Sequence, residues 1–159
     1  MNGKFHPYPD DSRDLGWSSY RSNDIYATNG SIQTSDQNFK TDIVDSDLGL
    51  DFINALRPVS FKWQETEGRA GARPHYGLIG QEVEVALGAA ASDTALWINS
   101  LIEARPAEPA GLDEEGNEVT PAMPEVEEHY RQGLRYNELI GPMIKSIQEL
   151  TARVAALEG

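Results

Sequence analysis

Residues 136–159 of this chain read YNELIGPMIKSIQELTARVAALEG. Apolar side chains recur there alternately three and four positions apart, at Ile140, Met143, Ile147, Leu150, Val154 and Leu157. This spacing is typical of the heptad seam of a coiled coil. Lys145, Glu149 and Arg153 lie four apart, on what we expect to be an outer face, where opposite charges favour a helix. So short a seam rarely holds chains together alone.

Upstream of this helix, residues 48–87 predict two short helices and a strand. Apolar residues fall at helical spacing over 48–56, and Pro58 ends that pattern. Residues 59–63, VSFKW, alternate apolar and polar side chains, as a half-buried strand does. Ile79, Val83 and Leu87 then recur every four positions and predict a second helix.

Two stretches carry weaker patterns. Residues 17–34, WSSYRSNDIYATNGSIQT, mix aromatic and β-branched residues around an Asn29-Gly30 turn, which favours short strands. Because this stretch cannot bury a core alone, we expect it to pair with an upstream β structure or with neighbouring chains. Residues 88–133 are rich in Pro, Glu and Gly and predict a long surface excursion or hairpin, with a turn at 115–117.

Composition excludes several classes of function. The chain has 159 residues, enough for one modest domain with extended ends, and a formal net charge of -13, which repels nucleic acid. It has no cysteine, and its histidines and carboxylates show no metal-ligand spacing, so we predict no metal and no cofactor. No apolar run approaches the roughly 20 residues that span a bilayer, so we expect a soluble chain with no membrane partner.

Four blocks of sequence, in order, resemble the S74 peptidase family. They are SDQNFKTDI (35–43), LRPVSFKW (56–63), HYGLIGQEVE (75–84) and YNELI (136–140). The family comprises intramolecular chaperone domains at the C-termini of phage endosialidases, tail fibres and neck appendages, with related domains in a membrane-anchored animal transcription factor. The chain departs from the family at Phe39, at Gly80, where alanine is common, and in the extended 88–133 region.

The resemblance implies an α+β fold assembled as an intertwined homotrimer. Residues 1–34 would be the end of an upstream β-structured stalk, 35–135 the chaperone and auto-protease domain, and 136–159 the trimeric coiled-coil helix. The domain would help three copies of a tail fibre or spike fold, and then remove itself by cutting between Thr34 and Ser35. It would be made in the host cytoplasm as part of a virion tail-fibre precursor, and released after cleavage.

Ser35 and Lys40 are the catalytic pair that the resemblance implies. A serine hydroxyl attacks only after losing its proton, and a neutral lysine amine can take that proton. By itself the S-x-x-x-x-K spacing is unspecific: Ser35-Asp36 would be a helix cap and Lys40 a solvated lysine. Asp36 is interpreted as the cap in either case. The surrounding blocks favour the catalytic interpretation, with Lys40 as base and Ser35 attacking the carbonyl of Thr34.

His75 matches a family histidine implicated in processing. It could orient the site, donate a hydrogen bond or tune the charge beside Lys40, or it could be a core or trimer-interface histidine. The same two interpretations, a supporting role in processing or a structural role, apply to Gln81 and Glu82. Two other functions stay open from sequence: a trimerisation module that does not cut, and a receptor-binding fibre tip built on 88–133.

Overall fold

The computed structural model describes residues 9, 12–16, 21–22, 24–64, 73–113, 116, 118–120 and 122–159. It contains helices and two-stranded sheets and ends in a long helix, as the α+β prediction requires. The described residues form two compact units. One comprises residues within Met1–Lys40 and Leu101–Arg131, and the other comprises Thr41–Ser100 and Gln132–Gly159.

Three helices build the second unit. They are α1 (Leu50–Ala55), α2 (Gly80–Leu87) and α3 (Ile140–Glu158). Val83 and Leu87, one face of α2, are buried with Phe52 of α1 and with Leu96 and Leu139. The periodic apolar residues of 48–56 and 79–87 therefore form the core that their spacing predicted. Pro58 follows α1 by three positions, so the predicted stop is also confirmed.

A small antiparallel sheet lies in the same unit. Strand β1 (Val59–Phe61) pairs with β2 (His75–Gly77), with Phe61 opposite His75. The alternating side chains of 59–63 thus do form a strand, although it is shorter than predicted. Its partner β2 coincides with the HYG of the third family block.

The 88–133 excursion contains a hairpin. After a 3-10 turn (Gly88–Asp93), β3 (Trp97–Ile102) neighbours β6 (His129–Leu134), and β4 (Gly111–Leu112) pairs antiparallel with β5 (Glu118–Thr120). Gly116 has φ 82° and donates its N–H to Asp113 O at 3.1 Å. A turn therefore lies where one was predicted, although its flanking residues 115 and 117 lie outside the described residues.

The arms of this hairpin pair at every third residue. Arg105 and Val126 exchange two backbone hydrogen bonds of 2.8 Å, as do Glu108 and Met123, and Gly111 then faces Thr120. Pro106, Pro109 and Pro124 lie between these pairs. Because proline has no N–H to donate, it fits only at such unpaired positions, and the prolines explain the three-residue spacing.

Within the predicted segment 17–34, the described residues 21–22 and 24–34 are all exposed and none of them lies in a strand. Because these strands were expected to pair with an upstream β structure or with neighbouring chains, they stay a prediction. The Asn29-Gly30 turn has partial support in the positive φ of Gly30, 76°. Trp17 and Tyr20 lie outside the described residues, and Tyr26 is 93% exposed.

Helix α3 begins after a 3-10 turn (Tyr136–Leu139), so the predicted C-terminal helix is confirmed. It packs against α1 through a face that includes the buried Pro142 and Ser146. The heptad residues lie on another face, where their exposed fractions run from 44% to 88%. A continuous apolar stripe is therefore uncovered in one chain. No helix in the described ranges combines the length and the apolar character that a membrane span needs.

Candidate functional site

The structure brings Ser35 and Lys40 together. Lys40 Nζ lies 2.7 Å from Ser35 Oγ and donates a hydrogen bond to it. A 3-10 turn, Gln37–Phe39, separates the two residues and folds the chain back over their five-residue spacing. The distance suits proton transfer in either direction, so a neutral amine at this position would accept the serine proton.

Asp36 caps this turn, as predicted. Its Oδ1 accepts the backbone N–H of Asn38 at 2.9 Å and the side-chain Nδ2 of the same residue at 3.0 Å. The turn is closed by backbone bonds from Phe39 N to Asp36 O and from Lys40 N to Gln37 O. Asn38 was not singled out from sequence, although an Asp-x-Asn spacing is a known signal for such side-chain turns.

The predicted scissile bond lies in open, extended chain. Thr34, Ser35 and Lys40 are all exposed, and no helix or strand contains Thr34. Apolar side chains on the same segment are exposed as well: Phe39 is 89%, Ile43 63% and Val44 84% exposed. In one chain the side chains of Ser35 and Lys40 are thus exposed, as is that of Phe39, which precedes the lysine.

His75 lies on β2 in the other unit and makes aromatic contacts there. Its ring stacks on Phe61, with centroids 5.7 Å apart and planes at 26°, and meets Trp63 edge to face at 6.2 Å. These contacts match the structural alternative for His75. A supporting role in processing stays a prediction.

Glu82, one of the two residues grouped with His75, has a structural partner. The guanidinium of Arg57, in the segment after α1, donates two hydrogen bonds to its carboxylate, one of them 3.1 Å long. Hydrogen bonding between the two side chains, together with the attraction of their charges, lowers the pKa of Glu82 below its ordinary value and raises the pKa of Arg57. Glu82 therefore ties α2 to the segment after α1.

The third and fourth family blocks meet in space. Tyr136 Oη accepts the backbone N–H of Leu78 at 3.0 Å. A Cβ on Gly77 would lie 2.5 Å from that oxygen, so only glycine leaves room for the contact. The two blocks, separated by more than fifty residues in sequence, thus form one structural element.

Comparisons with known proteins agree with this picture. Residues 35–92 match the model of the Peptidase_S74 family, described as the chaperone of endosialidase. Over 80 residues the chain is 36% identical to the side tail fiber protein pb1 of Escherichia phage T5; the match covers 48% of this chain and 6% of that protein. The chain therefore spans a small part of its curated relative.

Two solved structures are similar in fold. One is the carboxy-terminal domain of the bacteriophage T5 L-shaped tail fiber with its intra-molecular chaperone domain: TM-score 0.70, 23% identity, covering 99% of this chain and 38% of that one. The other is described as a novel intramolecular chaperon: TM-score 0.53, 26% identity, covering 75% of this chain and 99% of that one. Residues 35–92, the part of the chain that is similar to the peptidase S74 family, carry the Ser35–Lys40 pair.

Proposed function

We propose that this chain is the intramolecular chaperone of a phage tail fibre or spike, that it works as a homotrimer, and that it cuts itself off between Thr34 and Ser35. The observation that carries the cleavage is the 2.7 Å contact between Lys40 Nζ and Ser35 Oγ, inside a segment that matches a peptidase family. The chaperone role is supported by two structural relatives that are described with that word.

In the proposed reaction, neutral Lys40 takes the proton of Ser35 Oγ as this oxygen bonds to the carbonyl carbon of Thr34. The C–N bond between the two residues then breaks, and the proton passes to the departing nitrogen, which becomes the free amine of Ser35. This leaves an ester between the Thr34 carbonyl and Ser35 Oγ. Water hydrolyses the ester to the Thr34 carboxylate and restores the serine hydroxyl. Each chain cuts once.

Assembly as a trimer is supported by the uncovered stripe on α3. Its six heptad residues are at least 44% exposed in one chain, and isolated chains rarely leave so continuous an apolar surface in water. A three-stranded coiled coil of α3 helices would bury it. The described residues 25–34, which form no strand in one chain, would pair with neighbouring chains in the same assembly.

Cleavage in this proposal follows assembly. A serine and lysine pair works best where water is excluded, and in one chain both side chains are exposed. The exposed Phe39, which precedes Lys40 in the sequence, would form part of the apolar wall of a site that a second chain closes. Cutting would then be restricted to correctly assembled fibres, made in the host cytoplasm, and would leave the fibre in the virion and release the chaperone.

Intact-mass spectrometry of the freshly expressed chain tests the cleavage. We expect wild type to split between Thr34 and Ser35, and Ser35→Ala and Lys40→Ala to keep their full mass while forming the same trimer. Wild type that stays whole as a folded trimer would exclude the protease activity and leave a trimerisation module. A wild type that is monomeric and folded would exclude the assembly.

A further inference from the structure

The turn that joins Ser35 to Lys40 has little to hold it in place. None of its residues, Gln37–Phe39, is buried, and the turn contains only two backbone hydrogen bonds, 3.1 and 3.2 Å long. A 3-10 turn of three residues has poor hydrogen-bond geometry and is marginal by itself. Its shape therefore depends on the two bonds from Asn38 to Asp36 Oδ1.

We propose that Asp36 and Asn38 are positioning residues for the Ser35–Lys40 pair. Asp36 directly follows the serine, and Asn38 lies two positions before the lysine, so their bonds span most of the backbone between the two reacting groups. A change of about 1 Å at a reacting atom can cost a large factor in rate. The inference rests on the proposed self-cleavage and adds two residues to its machinery.

Asn38 also affects the electrostatic environment of Lys40. A carboxylate paired with a lysine favours the charged amine, which cannot accept a proton. The carboxylates nearest to Lys40 along the chain are Asp36, Asp42 and Asp45, and within the described ranges none of them forms an ion pair with it. Asn38 directs both of its donors at the same oxygen of Asp36, and so keeps the carboxylate next to Ser35 engaged in the turn.

The test compares cleavage rates of the full chain. Uncleaved protein is purified in denaturant and refolded by dilution, and cleavage is followed by intact mass between pH 6 and pH 10. We expect Asp36→Ala to slow cleavage about tenfold at every pH, since it removes the acceptor of both bonds. Asp36→Asn keeps an acceptor oxygen and should stay within about threefold of wild type.

The variant Asn38→Ala tests the electrostatic role of Asn38 separately from its role in positioning Ser35 and Lys40. It removes the side-chain bond and leaves Asp36 Oδ1 with only the backbone N–H of residue 38, so the carboxylate is less firmly engaged and we expect the cleavage rate to rise only at higher pH than that of wild type. In the double variant Asp36→Asn with Asn38→Ala there is no carboxylate to free, and the pH dependence should return to that of wild type. If Asn38 only stabilised the fold, Asn38→Ala would leave the pH dependence of cleavage unchanged, and adding Asp36→Asn would have no shift to reverse. Gln37→Ala is the matched control, because Gln37 lies in the same turn without a side-chain hydrogen bond.

The trimer mass and the midpoint of thermal unfolding are measured for every variant. If Asp36→Ala fails to assemble, the cleavage rates of Asp36→Asn and of the Asn38 variants test the inference instead. Rates for Asp36→Ala and Asn38→Ala within twofold of wild type, while Ser35→Ala stays whole, would overturn the inference and leave the proposed function intact. A wild-type trimer that never cuts would overturn the proposed self-cleavage, and with it this inference.

Discussion

Glu149 Oε2 accepts a hydrogen bond from the backbone N–H of Leu50 at 2.8 Å, across 99 positions of the chain. Leu50 is the first residue of α1, whose N-terminal N–H groups have no partner within the helix. Gly49, at the cap position, has no side chain to supply one. A carboxylate from α3 thus does for α1 what a capping residue normally does, and it joins the C-terminal helix to the core.

Glu149→Ala should therefore lower the free energy of unfolding by about 1 kcal/mol, because an N-terminal N–H of α1 loses its acceptor. Chemical denaturation in the Ser35→Ala background, which we expect to stay whole, measures the change. Gln148→Ala is the control, since this neighbouring side chain is exposed. Equal losses in the two variants would mean that the capping bond contributes nothing.

Tyr136→Phe should cost about 1 kcal/mol of stability as well, since the N–H of Leu78 loses its acceptor. Denaturant unfolding compares it with Tyr130→Phe, a change of the same type at a tyrosine that is 66% exposed. We expect the control to unfold like wild type. An unchanged midpoint for Tyr136→Phe would show that water replaces the hydroxyl at no cost.

The Arg57–Glu82 pair predicts a pH dependence of stability. The pKa of Glu82 is lowered in the folded chain, so on acidification the unfolded chain takes up the proton first. Stabilisation by the pair is therefore complete above the ordinary value of 4.5 and is lost as the pH falls through the lower value of the folded state. The effect is small, because solvent reaches both side chains, which are 64% and 41% exposed.

Thermal unfolding of Glu82→Gln against wild type checks this dependence. The difference in midpoint should be largest near pH 6 and should shrink toward pH 3. Glu103→Gln, at an exposed position, controls for the loss of one negative charge. A difference that grows on acidification would contradict the assigned direction.

Ile147→Asp should disrupt the assembly, because it places a charge in the middle of the heptad stripe. Light scattering coupled to size exclusion should give a trimer mass for wild type and a lower mass for the variant. Gln148→Asp introduces the same group on an adjacent exposed position and should leave the trimer intact. If cleavage follows assembly, Ile147→Asp should also cut more slowly. A monomeric variant that cuts at the wild-type rate would refute that order.

Local patterns predicted the elements of this fold. The four-residue spacing of Ile79, Val83 and Leu87 predicted α2, and the heptads of 140–157 predicted α3, because a helix repeats every 3.6 residues whatever surrounds it. The predicted i,i+4 pair of Lys145 and Glu149 is present, with a nitrogen–oxygen distance of 3.7 Å. The spacing of Ser35 and Lys40 allowed their contact, and the resemblance to the peptidase family singled them out.

Only the tertiary structure decided which distant groups meet. Glu149, predicted for an outer face, caps α1, and Gly80 is a glycine where a Cβ would lie 3.0 Å from both Cβ and Oε1 of Gln132. No periodicity encodes such contacts, since they depend on how segments far apart in sequence pack together. The periodicity of apolar residues reflects the backbone geometry of one segment, whereas a long-range hydrogen bond depends on how two segments pack against each other. The sequence by itself therefore determined the helices, β1 and the candidate pair, and tertiary packing determined the contacts that hold them.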